Sequence, residues 1–141
     1  MIEKIILTPL RRIESLGGDI FHGIKITDIG YCGFGEAYFS YINKGAVKAW
    51  KLHKSMTLNL VVPIGSVRFI FCEKSEKKQF REIVIGEENY SRITVPPGIV
   101  FGFQGLDGPS NLIMNVSNIV HDPEEMQRFS VEEIDFNWSR R

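Results

Sequence analysis

A lysine and a histidine stand two residues apart in the segment Gly45-Ala-Val-Lys48-Ala-Trp50-Lys51-Leu-His53. The chain has only three histidines. An imidazole titrates close to neutral pH, which suits it to act as a general base. A lysine beside it supplies positive charge that steadies a developing oxyanion or binds a phosphate, and that lowers the imidazole pKa. On a strand alternate side chains share a face, so Lys51 and His53 point the same way. The commoner use of such residues is a hydrogen-bonded structural histidine and a lysine lying along a sheet rim.

A succession of short strands must position these groups. Runs of β-type residues at 46–53, 57–63, 66–72, 79–85, 91–95, 99–104 and 111–119 alternate with Gly, Pro, Asn or charged turns. Residues 2–13 also read as strand, with Pro9 marking an edge or bulge, and so do 21–26 and 34–43. The charged stretch 73–78 reads as a solvated hairpin. Many short strands at regular spacing predict a β-barrel or sandwich. The pattern changes after Asp122-Pro123, where Pro near a helix start and a Ser130-x-x-Glu133 capping box predict a short C-terminal helix. That helix would set Ile134 and Trp138 on one face, four residues apart. No repeat or linker interrupts the chain, so residues 1–141 form one domain.

Lysine plus arginine equals aspartate plus glutamate at 17 each. This zero balance points away from nucleic acid as a bulk electrostatic partner and offers little repulsion against self-association. Two cysteines, Cys32 and Cys72, are too few for a disulfide framework and read as reduced thiols. No basic, apolar leader and no membrane-length apolar run is present, which predicts a cytoplasmic protein with no membrane partner.

Gly45, His53 and Gly65 fall in register with the first signature motif of the cupins, which runs Gly, five residues, His-x-His, four residues, Glu, six residues, Gly. Lys51 and Leu58 stand where that motif has its first histidine and its glutamate. A second stretch, Ile85-Gly-Glu-Glu-Asn89-Tyr-Ser-Arg-Ile-Thr-Val95-Pro-Pro-Gly98-Ile-Val-Phe101-Gly-Phe103, resembles the second cupin motif. It resembles still more the dTDP-4-dehydrorhamnose 3,5-epimerase version, Leu-Ser-x-Glu-Asn followed by Ile-Pro-x-Gly-x-x-His-Gly-Phe. The match covers about the middle two-thirds of the chain. It implies an all-β fold, a cupin-type double-stranded β-helix.

Metal-binding cupins draw four ligands from these motifs. Here the positions hold Lys51, His53, Leu58 and Phe101, one usable donor where catalytic metal sites usually need three. The resemblance therefore implies no metal and no cofactor. In the epimerases a histidine removes the proton next to the 4-keto group of a nucleotide-linked hexose. A carboxylate orients it, a cation steadies the enolate oxygen, and a tyrosine re-protonates the opposite face. By this resemblance His53 is the base and Lys51 the cation, with Lys48, Trp50, Asn59, Phe101 and Asn115 as substrate-contacting candidates. His22 and Lys25 fall in approximate register with a nucleotide-reaching segment. Asn115 takes the place of the tyrosine and cannot act as an acid. Tyr38, Tyr41 and Tyr90 are open as replacements, and Asp19, Asp107, Asp122 and Asp135 are open as the carboxylate.

The expected function is that of a nucleotide-sugar 3,5-epimerase-like isomerase acting on a 4-keto-6-deoxyhexose, in the making of surface polysaccharide or a deoxysugar. The rivals are a non-catalytic nucleotide-sugar-binding cupin and a related keto-isomerase. A carboxylate beside His53 would favour an enzyme; an apolar surround would favour a binding module. Related epimerases pair through N-terminal strands, which predicts a homodimer using residues 2–7 and 34–41.

Overall fold

A computed structural model describes residues 1–73 and 79–139. The expected charged hairpin falls mainly on 74–78, outside the described residues. The strands are β1 (Ile6–Pro9), β2 (Arg12–Ile13), β3 (Ile20–Phe21), β4 (Glu36–Asn43), β5 (Val47–His53), β6 (Leu58–Ile64), β7 (Ser66–Cys72), β8 (Phe80–Gly86), β9 (Ser91–Val95), β10 (Val100–Gly105), β11 (Ser110–Ser117) and β12 (Met126–Arg128). Most follow the expected runs to within a residue or two. The run at 21–26 shrinks to Ile20–Phe21, because the chain beyond it is laid over β9 as a loop.

Two five-stranded antiparallel sheets face each other, ordered β1-β9-β6-β11-β4 and β12-β5-β10-β7-β8. Inward residues of both sheets, among them Leu58, Leu60, Val62, Phe69, Phe71, Ile85, Ile93 and Ile113, make the main core. This is the expected jelly-roll barrel. Gly102 is needed where β10 crosses β5, since a Cβ there would lie 2.5 Å from that of Ala49.

Strand β9 is buried on both faces. Its outer face carries Arg92, which is fully buried. Its guanidinium donates to the carbonyls of Gly23 (3.0 Å) and Ile29 (2.8 Å), and reaches Asp28 at 3.4 Å. Asn59 joins from β6, its Oδ1 accepting from Arg92 Nε at 3.1 Å. One buried cation thus binds the 23–29 loop to the barrel wall.

The C-terminal helix does not form. Residues Pro123–Glu125 and Val131–Glu133 are single 3-10 turns, with strand β12 between them. The strand wins because it finds a partner: Met126, Gln127 and Arg128 pair with His53, Leu52 and Lys51 on the edge of β5. An isolated short helix is marginal in water. The capping box does form, with Ser130 and Glu133 bonded reciprocally. Beyond it the segment lies on the outer face of β5, where Trp138 packs on Trp50 with ring centroids 5.2 Å apart. Trp50, Leu52, Ile70, Cys72, Val100 and Trp138 form this second core. Cys32 is exposed and Cys72 buried, and neither is in a disulfide.

Candidate active site

A cavity of about 270 Å³ opens between the sheets, lined by His53, Lys51, Lys48, Arg128, Tyr38, Ser40, Asn115 and an apolar wall that includes Leu58, Leu60, Phe69, Phe101 and Ile113. Strand β5 supplies its polar floor. Alternation puts Lys51 and His53 inward, as the sequence predicts. Lys48 joins them through a bulge. The pairing with β10 shifts between Phe101 and Gly102, so that Gly102 faces Ala49 and Phe101 faces Lys51. Ala49 and Trp50 both turn to the outer core, and Lys48 comes back to the cavity.

His53 is 7% exposed, and its Nδ1 is hydrogen-bonded to Glu125 Oε1. Glu125 stands at the end of the 3-10 turn Pro123–Glu125, just before β12. Its other oxygen accepts from the backbone N–H of Ser55 (3.1 Å) and Met56 (3.2 Å). Burial pushes the Glu125 carboxyl up, but the bonds from His53, Ser55 and Met56 outweigh it and hold the group below its ordinary value. It is therefore an ionised acceptor. The Nδ1 proton belongs to the imidazole, and Nε2 keeps its lone pair. Burial is also the largest influence on His53. With the Lys51 charge it pulls the imidazole below its ordinary value, against the opposing pull of Glu125. At neutral pH the pair is a neutral imidazole on a carboxylate. The Phe101 ring stacks beside it, with centroids 6.4 Å apart.

Lys51 is itself depressed, first by burial and then by Arg128 and Lys48. Strand register sets Arg128 opposite Lys51. Lys48 Nζ donates to Tyr41 O at 2.9 Å. Among the described residues no ion pair neutralises these three cations.

The remaining candidates separate. Tyr38 lies in the cavity, its hydroxyl accepting from Asn115 Nδ2 at 2.9 Å. Tyr90 instead donates to the carbonyl of His22 at 2.7 Å. Tyr41 is exposed on the other face of β4. Phe101 and Asn115 reach the cavity. Trp50 does not project into it: its Nε1 donates to Val131 O at 3.3 Å within the outer core. Asn59 is held by Arg92, Thr94 and the Gly30 carbonyl on the outer face of β6. His22 and Lys25 lie in the loop over β9, apart from the cavity. The carboxylate is none of Asp19, Asp107, Asp122 and Asp135, but Glu125. Asp122 caps the turn that carries it, accepting from Glu124 N at 3.0 Å. The acidic run after Asp122-Pro123 is the only trace of this in the sequence.

The four positions that correspond to cupin metal ligands, Lys51, His53, Leu58 and Phe101, do converge on this one cavity. They do not fit a metal: one nitrogen donor faces an ammonium and two hydrocarbon side chains. Among the described residues no group of three or more His, Cys, Asp or Glu is placed to hold one.

A cupin-type barrel with a buried histidine–carboxylate pair and flanking cations is the class these features define. Similarity to solved structures narrows it. A dTDP sugar isomerase from Desulfovibrio desulfuricans G20 superposes with a TM-score of 0.90 at 30% identity, over 97% of this chain and 92% of that one. The chain belongs to the RmlC-like family of cupins, that of the dTDP-4-dehydrorhamnose 3,5-epimerases and related sugar isomerases. The fold is shared with a dTDP-4-dehydrorhamnose 3,5-epimerase from Sulfolobus tokodaii (TM-score 0.78, 21% identity, 94% of this chain and 80% of that one). It is shared also with a sugar 3,4-ketoisomerase from Thermoanaerobacterium thermosaccharolyticum solved in complex with TDP (TM-score 0.77, 14% identity, 92% and 90%). No protein-family model and no curated protein sequence matches the chain.

Proposed function

We propose that the protein is a metal-independent nucleotide-sugar isomerase of the 3,5-epimerase type, acting on a nucleotide-linked 4-keto-6-deoxyhexose. The observation that carries this reading is the pairing of His53 with Glu125 at the wall of a cavity that also holds Lys51. A carboxylate that fixes one tautomer of a cavity-lining histidine, beside a lysine, favours an enzyme over a non-catalytic binding module.

In this reading His53 Nε2 takes the proton from the carbon next to the keto group, and the electron pair of that C–H bond moves into the carbonyl. The new oxyanion is steadied by Lys51. Glu125 stabilises the imidazolium that forms, as a carboxylate does for any buried base. The enolate then collapses, restoring the carbonyl, and carbon takes a proton from the other face. Tyr38 is the acid in the cavity, standing on β4 beside Asn115 on β11. Lys48 and Arg128 meet the diphosphate. The apolar wall of Leu58, Phe101 and Ile113 suits the C6 methyl of a deoxyhexose.

We assign the protein to the cytoplasm and to the synthesis of a deoxysugar or surface polysaccharide, as a homodimer. The compartment follows from the nucleotide-linked substrate. Among the described residues no helix is long and apolar enough to cross a membrane.

The test is solvent exchange. Nucleotide-linked 4-keto-6-deoxyhexoses are incubated with the protein in deuterated water and followed by NMR. Deuterium enters carbon 3, carbon 5 or both, and His53→Ala lowers the rate by about 10²–10⁴-fold. The same spectra separate an epimer from a 3-keto isomer. Binding of several such sugars with no deuterium uptake returns the protein to the binding-module class.

A further inference from the structure

Among the described residues three asparagines are buried, and in two of them the fold engages both the oxygen and the nitrogen of the amide. Asn111 Oδ1 accepts from Ser66 N (2.8 Å) and Asp107 N (3.2 Å), while its Nδ2 donates to the carbonyls of Ile42 (3.1 Å) and Asp107 (3.0 Å). Asn59 Oδ1 accepts from Arg92 Nε (3.1 Å) and Thr94 Oγ1 (2.6 Å), and its Nδ2 donates to Gly30 O (3.0 Å). Asn115 differs. Its Nδ2 donates to the Tyr38 hydroxyl at 2.9 Å, and its Oδ1 is enclosed without a hydrogen-bond partner among the described residues. Asn115 is 5% exposed and lines the cavity that holds His53 and Lys51.

An enclosed carbonyl oxygen with no donor is a cost to the fold, and native proteins keep few of them. Asn115 sits between Leu60 on β6 and Tyr38 on β4 in strand register, and Ile113 points to the same face. A leucine in its place would extend the apolar wall at no such cost. Two positions along β11, Ser117 Oγ is likewise enclosed and unpartnered. Residues two apart on a strand share a face, but of these two only Asn115 lines the cavity, next to Ile113 and Leu60 of its apolar wall.

We infer that Asn115 is a specificity-determining residue that reads a ring hydroxyl of the sugar, its Oδ1 accepting that hydroxyl's hydrogen bond. The inference rests on the nucleotide-sugar reading of the cavity. The terminal torsion of an asparagine is a broad, roughly twofold rotor, so the amide turns to meet a donor. Tyr38, 43% exposed, moves with it. The residue is therefore occupied with Tyr38 on one side and with the substrate on the other, which explains why the fold leaves half of its amide unused. A site built to accept a hydroxyl rejects the analogue that lacks it, because its own polar atom is then left unpaired.

The experiment is calorimetric binding of dTDP-glucose and its monodeoxy counterparts, probes that bind without turnover. One deoxy analogue is expected to bind the wild-type protein about 10–100-fold more weakly than dTDP-glucose. In Asn115→Leu that preference disappears. In Asn115→Asp, which keeps an acceptor oxygen, the ratio survives even if affinity for both ligands falls. If wild-type protein binds all the sugars alike, the inference is overturned without recourse to any variant, and the nucleotide-sugar reading stands. If Asn115→Leu keeps the preference, another group reads the hydroxyl. If Asn115→Asp loses it, the amide nitrogen and not the oxygen faces the sugar. Failure of every thymidine diphosphate ligand to bind removes the nucleotide-sugar reading itself, and the inference with it.

Discussion

His53 combines two demands that pull in opposite directions. It must be neutral to take a proton, and it must tolerate charge once it has done so. Burial and Lys51 supply the first by lowering its pKa; Glu125 supplies the second. The acid limb of kcat/KM is therefore expected below the ordinary histidine value, with activity rising as pH increases through it. Lys51→Met removes a charge that depresses His53, so the limb moves up while the rate falls by about 10²-fold for loss of one oxyanion contact. Glu125→Gln acts oppositely on the pKa: it removes a carboxylate that raises it, so the limb moves further down. The rate also drops, by roughly 10²–10⁴-fold, because the tautomer is no longer fixed. pH–rate profiles of the two variants check both directions, and limbs moving the same way would contradict the assignment. The same depression has a stability consequence. Between the unfolded and the folded pKa of His53 the unfolded chain binds the extra proton, so stability falls as pH drops below the ordinary histidine value. A melting series from neutral to mildly acidic pH, compared with His53→Phe, isolates that contribution.

At the scale of elements, the segment after Asp122 completes the site from outside the barrel. Strand β12 lies on the edge of β5, with Glu125 at one end reaching His53 and Arg128 at the other opposite Lys51. Backbone bonds of 3.0 Å in both directions between Trp50 and Phe129 hold it. The aromatic cluster of Trp50, Phe136 and Trp138 anchors its far end. Arg68 lies under the same rings, with its guanidinium 5.2 Å from the centre of Phe136. Trp138→Ala is expected to cost about 3–5 kcal/mol, the usual range for emptying a large buried aromatic site. Denaturant titration measures it, and a loss under about 1 kcal/mol would show that the segment is held elsewhere. Because no residue of the second core faces the cavity, native protein remaining in that variant should keep its acid limb.

Among the described residues of the whole molecule, no further strand pairs at either edge of one sheet, β1 or β4. The outer face of β4 carries Phe39 and Tyr41, 64% and 63% exposed, and Phe34, two residues ahead of the strand, is 63% exposed. Aromatic side chains on an unpaired edge favour association, and an equal balance of charge does not oppose it. Light scattering at micromolar concentration is expected to give a dimer mass, and Phe39→Glu to lower it to that of a monomer. A monomer mass for the unaltered protein would remove the homodimer proposal while leaving the cavity chemistry intact.

What the sequence determined by itself is local or periodic. Strand runs of regular length and the alternation of β5 were enough for an all-β barrel or sandwich and for Lys51 and His53 on one face, and the resemblance to the cupin motifs, with glycines at 45, 65 and 98, narrowed this to the jelly-roll barrel. Tertiary structure decided whatever depends on a meeting of distant segments. Glu125 is 72 residues from His53, and no spacing rule links a base to an acid brought by a strand added at an edge. Lys48 has the wrong parity for the cavity until the bulge at Ala49-Trp50 corrects it. Tyr38 is distinguished from Tyr41 and Tyr90 only by which face of which strand it occupies. The C-terminal segment had real helix-start chemistry, yet the capping box at Ser130 starts only a 3-10 turn, and Met126–Arg128 ahead of it became a strand because the edge of β5 offered hydrogen bonds that a short helix could not match. Local propensity is read from neighbours in the chain. The choice of partner is made by packing, after the barrel has closed.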